Sequence, residues 1–121
     1  MVGTATESLG VHAGADPARP GDPVVPALVQ SATFFGGRRD DGLLYTRYGN
    51  NPLQLQVGRK VAALEGAEAA VVLGSGMGAI AATVLSLTQS GDHIAAARDL
   101  YGATRVLFER ELPRRGISTT F

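Results

Sequence analysis

Cysteine and tryptophan are absent from the 121 residues, lysine occurs once, and eleven basic and eleven acidic side chains cancel to a formal charge of zero. Without cysteine there is no disulfide framework, no thiolate metal site and no sulfur nucleophile, a usage compatible with a reducing cytoplasm. A balanced charge gives no field that would draw the chain to nucleic acid or an anionic membrane, so a small molecule or another protein is the expected partner. No apolar run reaches the roughly 20 residues of a membrane span. The N-terminus, Met-Val-Gly-Thr-Ala-Thr-Glu-Ser, has neither the basic nor the apolar region of a signal peptide. The chain reads as soluble and cytoplasmic. Because ten of the eleven basic residues are arginine, any mechanism that needs a lysine must use Lys60 or one from another chain.

What is present divides the chain in two. Residues 1–48 carry Pro17, Pro20, Pro23 and Pro26 with Gly14 and Gly21 in one short stretch, where fixed φ angles and missing donors oppose helix and sheet. An extended arm is expected there, lying on a later part of this chain or on a partner subunit, with Gly36–Gly42 as a polar loop. Residues 49–121 alternate. Leu53, Val57, Val61 and Leu64 recur at helical spacing with Gly66 placed as a C-cap. Ala69–Leu73 reads as a strand, and Gly76–Leu87 as a largely buried helix with Ile80, Val84 and Leu87 on one stripe. Ser90-Gly91-Asp92 ends that helix, and His93–Ala97 reads as a strand. Tyr101–Leu112 reads as a helix with Thr104, Leu107, Phe108 and Leu112 on one face until Pro113, and Ile117–Phe121 as a last strand. Strands alternating with helices predict an α/β fold with a parallel sheet. Three such strands leave sheet faces uncovered, so the expectation is the front part of a larger domain.

Three segments carry the candidate chemistry. Gly74-Ser75-Gly76-Met77-Gly78-Ala79 matches G-x-G-x-x-A at a strand-to-helix turn, where backbone N–H groups and the helix dipole favour an anion. The motif fits a dinucleotide, with Asp99 as the ribose-binding acid, another phosphate, or a tight turn that binds nothing. Tyr45-Thr46-Arg47-Tyr48 sets a forked cation between two phenols, suited to phosphate or carboxylate, or simply to packing. Asp99-Leu100-Tyr101-Gly102 follows the second strand, where ligands of open parallel sheets sit, and Tyr101 could face a bound ring. Otherwise Tyr101 is a core tyrosine and Asp99 an N-cap. His12 and His93 have no metal-ligand partners at usable spacing and read as structural.

Together these segments resemble the pyridoxal-phosphate (PLP) enzymes of cysteine and methionine metabolism, the trans-sulfuration family that includes cystathionine γ-synthase, cystathionine γ-lyase, methionine γ-lyase and O-acetylhomoserine sulfhydrylase. The resemblance runs through Leu9–Gly14, Val25-Pro26, Gln30–Phe34, Tyr45–Asn50, Val61–Gly66, Gly74–Met77, Gly91-Asp92 and Leu100–Gly102. It implies the fold-type-I PLP-transferase class (aspartate-aminotransferase-like large domain), here as an N-terminal arm plus the first βαβαβ part of a parallel or mixed sheet. It also implies pyridoxal 5'-phosphate as cofactor and a small amino acid as substrate in γ-elimination or γ-replacement. The homo-oligomer would be a dimer of dimers. By the same resemblance Gly76 and Met77 hold the cofactor phosphate through backbone N–H groups, and Tyr45 and Arg47 reach the phosphate of the neighbouring subunit. Tyr101 stacks on the ring and acts as a catalytic residue, with Ser31 and Thr33 in support.

The chain also departs from the family. Asn50-Asn51-Pro52-Leu53 carries an extra asparagine, and a leucine, where the family commonly reads Asn-Pro-Thr. The family's Schiff-base lysine, its pyridinium-pairing aspartate and its carboxylate-binding arginine match positions beyond Phe121. Lys60 aligns with an ordinary basic helix position and is expected to be solvated, since a Schiff-base role would need a desolvated or cationic pocket. The 121 residues alone are therefore expected to be inactive. Alternatives from another class are a non-catalytic truncated chain and an NAD-binding half-domain built on Gly74, Gly76, Ala79 and Asp99.

Overall fold

The computed structural model describes residues 6–15, 19–35 and 44–121; the polar loop expected at Gly36–Gly42 and Pro17 lie outside the described residues. The chain forms two compact units, Met1–Val72 and Leu73–Phe121.

In the first unit, α1 (Thr6–His12) and α2 (Pro52–Glu65) pack against each other. A helix therefore stands inside the stretch expected to be extended. Its seven residues include no proline, and its C-terminal turn is tied to α2, where Lys60 Nζ donates to the Val11 carbonyl at 3.2 Å and Arg59 Nε to that of Gly14 at 3.2 Å. Helix α2 begins where the sequence supplies both signals for it, Asn51 as N-cap and Pro52 in the first turn, and it ends at Gly66 in the left-handed region, φ 64°. The face that α2 buries differs from the expected Leu53–Val57–Val61–Leu64 stripe. Gly58 and Ala62 are buried, whereas Val57, Val61 and Leu64 are exposed. Small residues win because the following segment passes so close: a Cβ on Gly58 would lie 2.7 Å from the Ala70 carbonyl oxygen.

That following segment, Ala69–Leu73, is not a strand. No described residue pairs with its backbone, and Val71 is 84% exposed. A strand exists only through its ladder, so apolar β-branched residues without a partner leave an unpaired connector.

In the second unit, α3 (Gly76–Leu87) leads through a tight turn to β1 (His93–Ala95). Helix α4 (Gly102–Val106) then leads to β2 (Ser118–Thr120). The two strands are parallel, with His93 opposite Ser118, Ile94 opposite Thr119 and Ala95 opposite Thr120. This is the parallel pairing that the alternating pattern predicts, with shorter strands. The turn before β1 closes as Asp92 Oδ2 accepts from Gln89 N at 2.8 Å, around Gly91 at φ 99°. After Val106 the helix opens into a π turn, Leu107–Glu111, where Leu112 N donates to Leu107 O at 2.9 Å. Pro113, which has no N–H to continue a helical ladder, then starts a 3₁₀ turn, Pro113–Arg115.

The core of this unit is Phe108, Leu112 and Ile117, with Val84, Ile94, Leu100, Leu107 and Phe121 against it. The face predicted for the second helix is thus the buried one. Helix α3 differs: it buries no residue fully, and Leu85 and Leu87 are exposed. Among the described residues the two short strands and the short helical segments after them leave only the Val84 side of α3 against the core. Among the described residues no helix is long and apolar enough to cross a membrane.

Candidate functional site

The second unit contains the glycine-rich turn. Ser75, extended at φ −160° and ψ 156°, caps α3, and its Oγ accepts from Gly78 N at 3.0 Å while its carbonyl accepts from Ala79 N at 2.9 Å. Of the first N–H groups of the helix, those two are thereby used. Gly76 N and Met77 N precede the first intrahelical donor and have no acceptor among the described residues. Both belong to the positive end of a 12-residue helix, and a Cβ built on Gly76 meets nothing within 4 Å. Two unused donors beside open space at a helix N-terminus form an anion cradle.

Tyr101 stands at the start of α4 as its N-cap, with φ −54° and ψ 134°, and the residue is 73% exposed. It is therefore not the core tyrosine that was the alternative to a ligand-facing role. It also takes the N-cap position that Asp99 would otherwise hold. Its helix is joined to the cradle. Thr104, buried on α4, donates from Oγ1 to Met77 Sδ at 3.4 Å. Gly76, Met77 and Tyr101 thus lie on packed elements of one unit.

Sequence reading missed Arg105. Its Nη1 donates to the Arg98 carbonyl at 3.1 Å, its Nε to Glu109 Oε1 at 2.7 Å, and its guanidinium lies 4.7 Å from the Phe121 ring centre. It thereby ties the loop that precedes Tyr101 to α4. The i, i+4 pairing with Glu109 was the available signal.

Tyr45 and Arg47 belong to the first unit. A 3₁₀ turn, Thr46–Tyr48, carries Arg47, whose guanidinium sits 5.6 Å from the Tyr45 ring centre, and Tyr48 meets Tyr45 edge-on at 5.1 Å. The cation is exposed and held by a ring, an arrangement that orients a forked donor without satisfying it. The turn is stitched to the arm: Thr46 N donates to Ala32 O at 3.0 Å, Thr46 Oγ1 to Ser31 O at 2.8 Å, and Ser31 Oγ to Thr33 O. Thr33 and Tyr45 form an antiparallel bridge. The Asn50-Asn51 pair, where the sequence departs from the family, closes the turn in two places. Asn50 Oδ1 accepts from Tyr45 N at 2.8 Å, and Asn51 Oδ1 from Leu53 N at 2.9 Å. Lys60, tied to Val11 on α1, belongs to neither group.

His93 Nδ1 and Ser118 Oγ, 2.8 Å apart, bridge β1 and β2, a structural use of that histidine. A cleft of about 520 Å³ in the first unit, lined by Leu55, Arg59, Ala62, Ala63 and the 67–72 segment, holds none of the five candidate residues.

The chain is 38% identical to L-methionine gamma-lyase of Fusobacterium nucleatum, over 92% of this chain and 30% of that enzyme. It is 36% identical to O-succinylhomoserine sulfhydrylase of Pseudomonas aeruginosa, over 100% of this chain and 32% of the relative. Among solved structures, cystathionine gamma lyase of Micromonospora echinospora superposes with a TM-score of 0.84 at 32% identity, covering 98% of this chain and 31% of its own. The chain thus spans under a third of the length of these relatives, and its fold is of the fold-type-I class expected from the sequence. The family model described as Cys/Met metabolism PLP-dependent enzyme matches residues 7–121, and the chain belongs to that family.

Proposed function

We propose that these residues form the phosphate-binding front part of a PLP enzyme that performs γ-elimination or γ-replacement on sulfur amino acids or activated homoserine. The observation that carries the reading is the division of labour at α3, where Ser75 occupies Gly78 N–H and leaves the N–H groups of Gly76 and Met77 for a ligand. A dianionic phosphate fits two such donors at a helix N-terminus. Pyridoxal phosphate supplies an electron sink for carbanions at the substrate α and β carbons, which lets a γ-substituent leave or be replaced.

In this reading Gly76 and Met77 hold the phosphate. The Tyr45 hydroxyl and the Arg47 guanidinium reach the phosphate of a neighbouring subunit, so the working enzyme is a homo-oligomer, a dimer of dimers. Tyr101 lies against the cofactor ring, and its hydroxyl holds or moves a proton near the substrate amine. Residues 1–48 serve as the arm bearing the Tyr-x-Arg motif, with Ser31 and Thr33 in support, and residues 49–121 as the front of the cofactor domain. The reaction belongs in the cytoplasm. Lys60 is spent on a contact with α1, and the 121 residues by themselves bind without turning substrate over. The family match displaces the dinucleotide reading of the same glycines.

Equilibrium dialysis of the 121-residue chain against pyridoxal phosphate, pyridoxal and NAD tests this. The expected order is pyridoxal phosphate ahead of pyridoxal, with NAD weakest, and no turnover of methionine or cystathionine. A preference for NAD, or equal binding of pyridoxal with and without its phosphate, overturns the assignment.

A further inference from the structure

We infer that Asn51, within the Asn50-Asn51-Pro52-Leu53 stretch where this chain departs from the family pattern, is a positioning residue that aims the Tyr45–Arg47 turn at its anion. The inference rests on the reading above, in which Arg47 binds phosphate.

Asn51 is 6% exposed, and it is one of the few polar residues so deeply buried among the described ones. Its two ends act on different elements. The Oδ1 atom accepts from Leu53 N at 2.9 Å, and Gln54 Oε1 accepts from Asn51 N at 3.3 Å, which together form a capping box on α2. A cap needs only an oxygen. Serine, threonine or aspartate would serve as well.

The Nδ2 group has another task. It donates among three oxygens, Val29 O at 3.1 Å, Thr46 Oγ1 at 3.2 Å and Ser31 O at 3.4 Å. Two belong to the arm and the third to the 3₁₀ turn that carries Arg47. Thr46 Oγ1 spends its own hydrogen on Ser31 O, so toward Asn51 it can only accept. Every atom facing Nδ2 is thus an acceptor, and the amide nitrogen is what fastens arm, turn and helix together. Arg47 is exposed, and its guanidinium lies over the ring of Tyr45 at the start of the same turn, so moving the turn moves the cation and the ring that holds it together.

Asn51→Asp separates the two tasks. It keeps the capping oxygen and the shape of the side chain but sets a carboxylate oxygen against the Val29 and Ser31 carbonyls, which repel it, and withdraws the donor from Val29 O, while Ser31 O keeps its bond from Thr46 Oγ1. Asn51→Ser keeps a capping oxygen and removes the donor without adding charge, so it serves should the aspartate variant fail to fold. The readout is the ratio of pyridoxal phosphate to pyridoxal affinity in the self-associated form of the 121-residue chain, isolated by size exclusion because Arg47 reaches a neighbouring subunit. It is measured for both variants, for Arg47→Ala, and for Arg47→Ala combined with Asn51→Ser; a chain that forms no such assembly overturns the shared-site reading and the positioning role with it. A purely structural cap would leave that ratio unchanged in the folded variants.

The expected result is a roughly tenfold drop in the ratio for Arg47→Ala, a drop of at least about threefold for each Asn51 variant, and a double variant no lower than Arg47→Ala alone. A normal ratio in the Asn51 variants alongside a lowered one in Arg47→Ala overturns the positioning role and leaves the phosphate reading intact. A normal ratio in Arg47→Ala, or no preference for the phosphate form in the parent chain, overturns the reading and the positioning role with it.

Discussion

Gly58 and Gly10 are both helix glycines, and replacing each by alanine is expected to change stability in opposite directions. In a helix interior alanine is favoured over glycine by about 0.5–1 kcal/mol, because it loses less backbone entropy. At Gly10 of α1 a Cβ meets nothing within 4 Å, so Gly10→Ala keeps that gain. At Gly58 of α2 the Cβ would stand 2.7 Å from the Ala70 carbonyl oxygen, inside the 3.0 Å that real Cβ atoms essentially never cross. The obstructing atom is main chain and cannot rotate away. Either α2 or the 67–72 segment must move, and overpacking of that kind costs about 1–3 kcal/mol. The clash outweighs the propensity gain, so Gly58→Ala is expected to lose about 1 kcal/mol while Gly10→Ala gains somewhat less than that. Urea unfolding of the two variants beside the parent chain, followed by circular dichroism, reads both signs at once. A Gly58→Ala chain that is stabilised like Gly10→Ala would refute the close approach of α2 to Ala70, and with it the account of why small residues form the buried face.

That account also explains which parts of the molecule could be read in advance. Gly66, Gly91 and Pro113 act through their own φ angles or missing N–H, so their turns and caps follow from residue identity. Parallel pairing of β1 with β2 follows from a strand, a helix and a strand in sequence, and the Thr104–Phe108–Leu112 face from helical spacing. Hydrophobic periodicity misled at α2 because it marks a face that something must cover, without saying what. Among the described residues the Val57–Val61–Leu64 side is open, and the close contact belongs to Gly58 and Ala62. At Ala69–Leu73 composition had favoured a strand, but a ladder needs a second segment that composition does not provide. Of the candidate site residues, Gly76 and Met77 stand in a local motif that the sequence displays, and the structure gives their N–H groups no acceptor among the described residues. Asn51 was not legible in that way. Its bonds reach Val29 and Ser31, more than 19 residues away in sequence, and an extra asparagine before proline looks locally like a disturbance of the turn it secures.

Three further expectations concern the core, a helix cap and the start of α3. Leu112, 0% exposed between Phe108 and Ile117, leaves a cavity on replacement by alanine; a loss of about 2–5 kcal/mol is expected, seen as lost hydrogen-exchange protection at Ala96 and Ser118 N–H. Gly66→Ala puts a Cβ on a residue at φ 64° and should lower the urea midpoint by the equivalent of about 1–2 kcal/mol, with the helix itself retained. The last concerns the cradle. Gly76 is the first residue of α3, a position where proline is tolerated, and Ser75 before it is already extended at φ −160° and ψ 156°, the region that a following proline requires. Gly76→Pro therefore deletes one N–H and leaves the helix standing. Gly76→Ala adds bulk to the same open space and keeps the N–H, so it controls for crowding. An N–H bond to an ionised acceptor is worth about 1.5–3 kcal/mol. With solvent access at this exposed turn the lower end applies, or about a tenfold loss of pyridoxal phosphate affinity for the proline variant and much less for alanine. Ser75→Ala should act the other way round. Its Oγ is engaged with Gly78 N–H, so its loss weakens the cap by about 1 kcal/mol and leaves affinity for the phosphate nearly unchanged. If Gly76→Pro binds as the parent does while Ser75→Ala loses tenfold, the serine hydroxyl is the ligand donor, and the division of labour at the start of α3 is the reverse of the one argued from its hydrogen bonds.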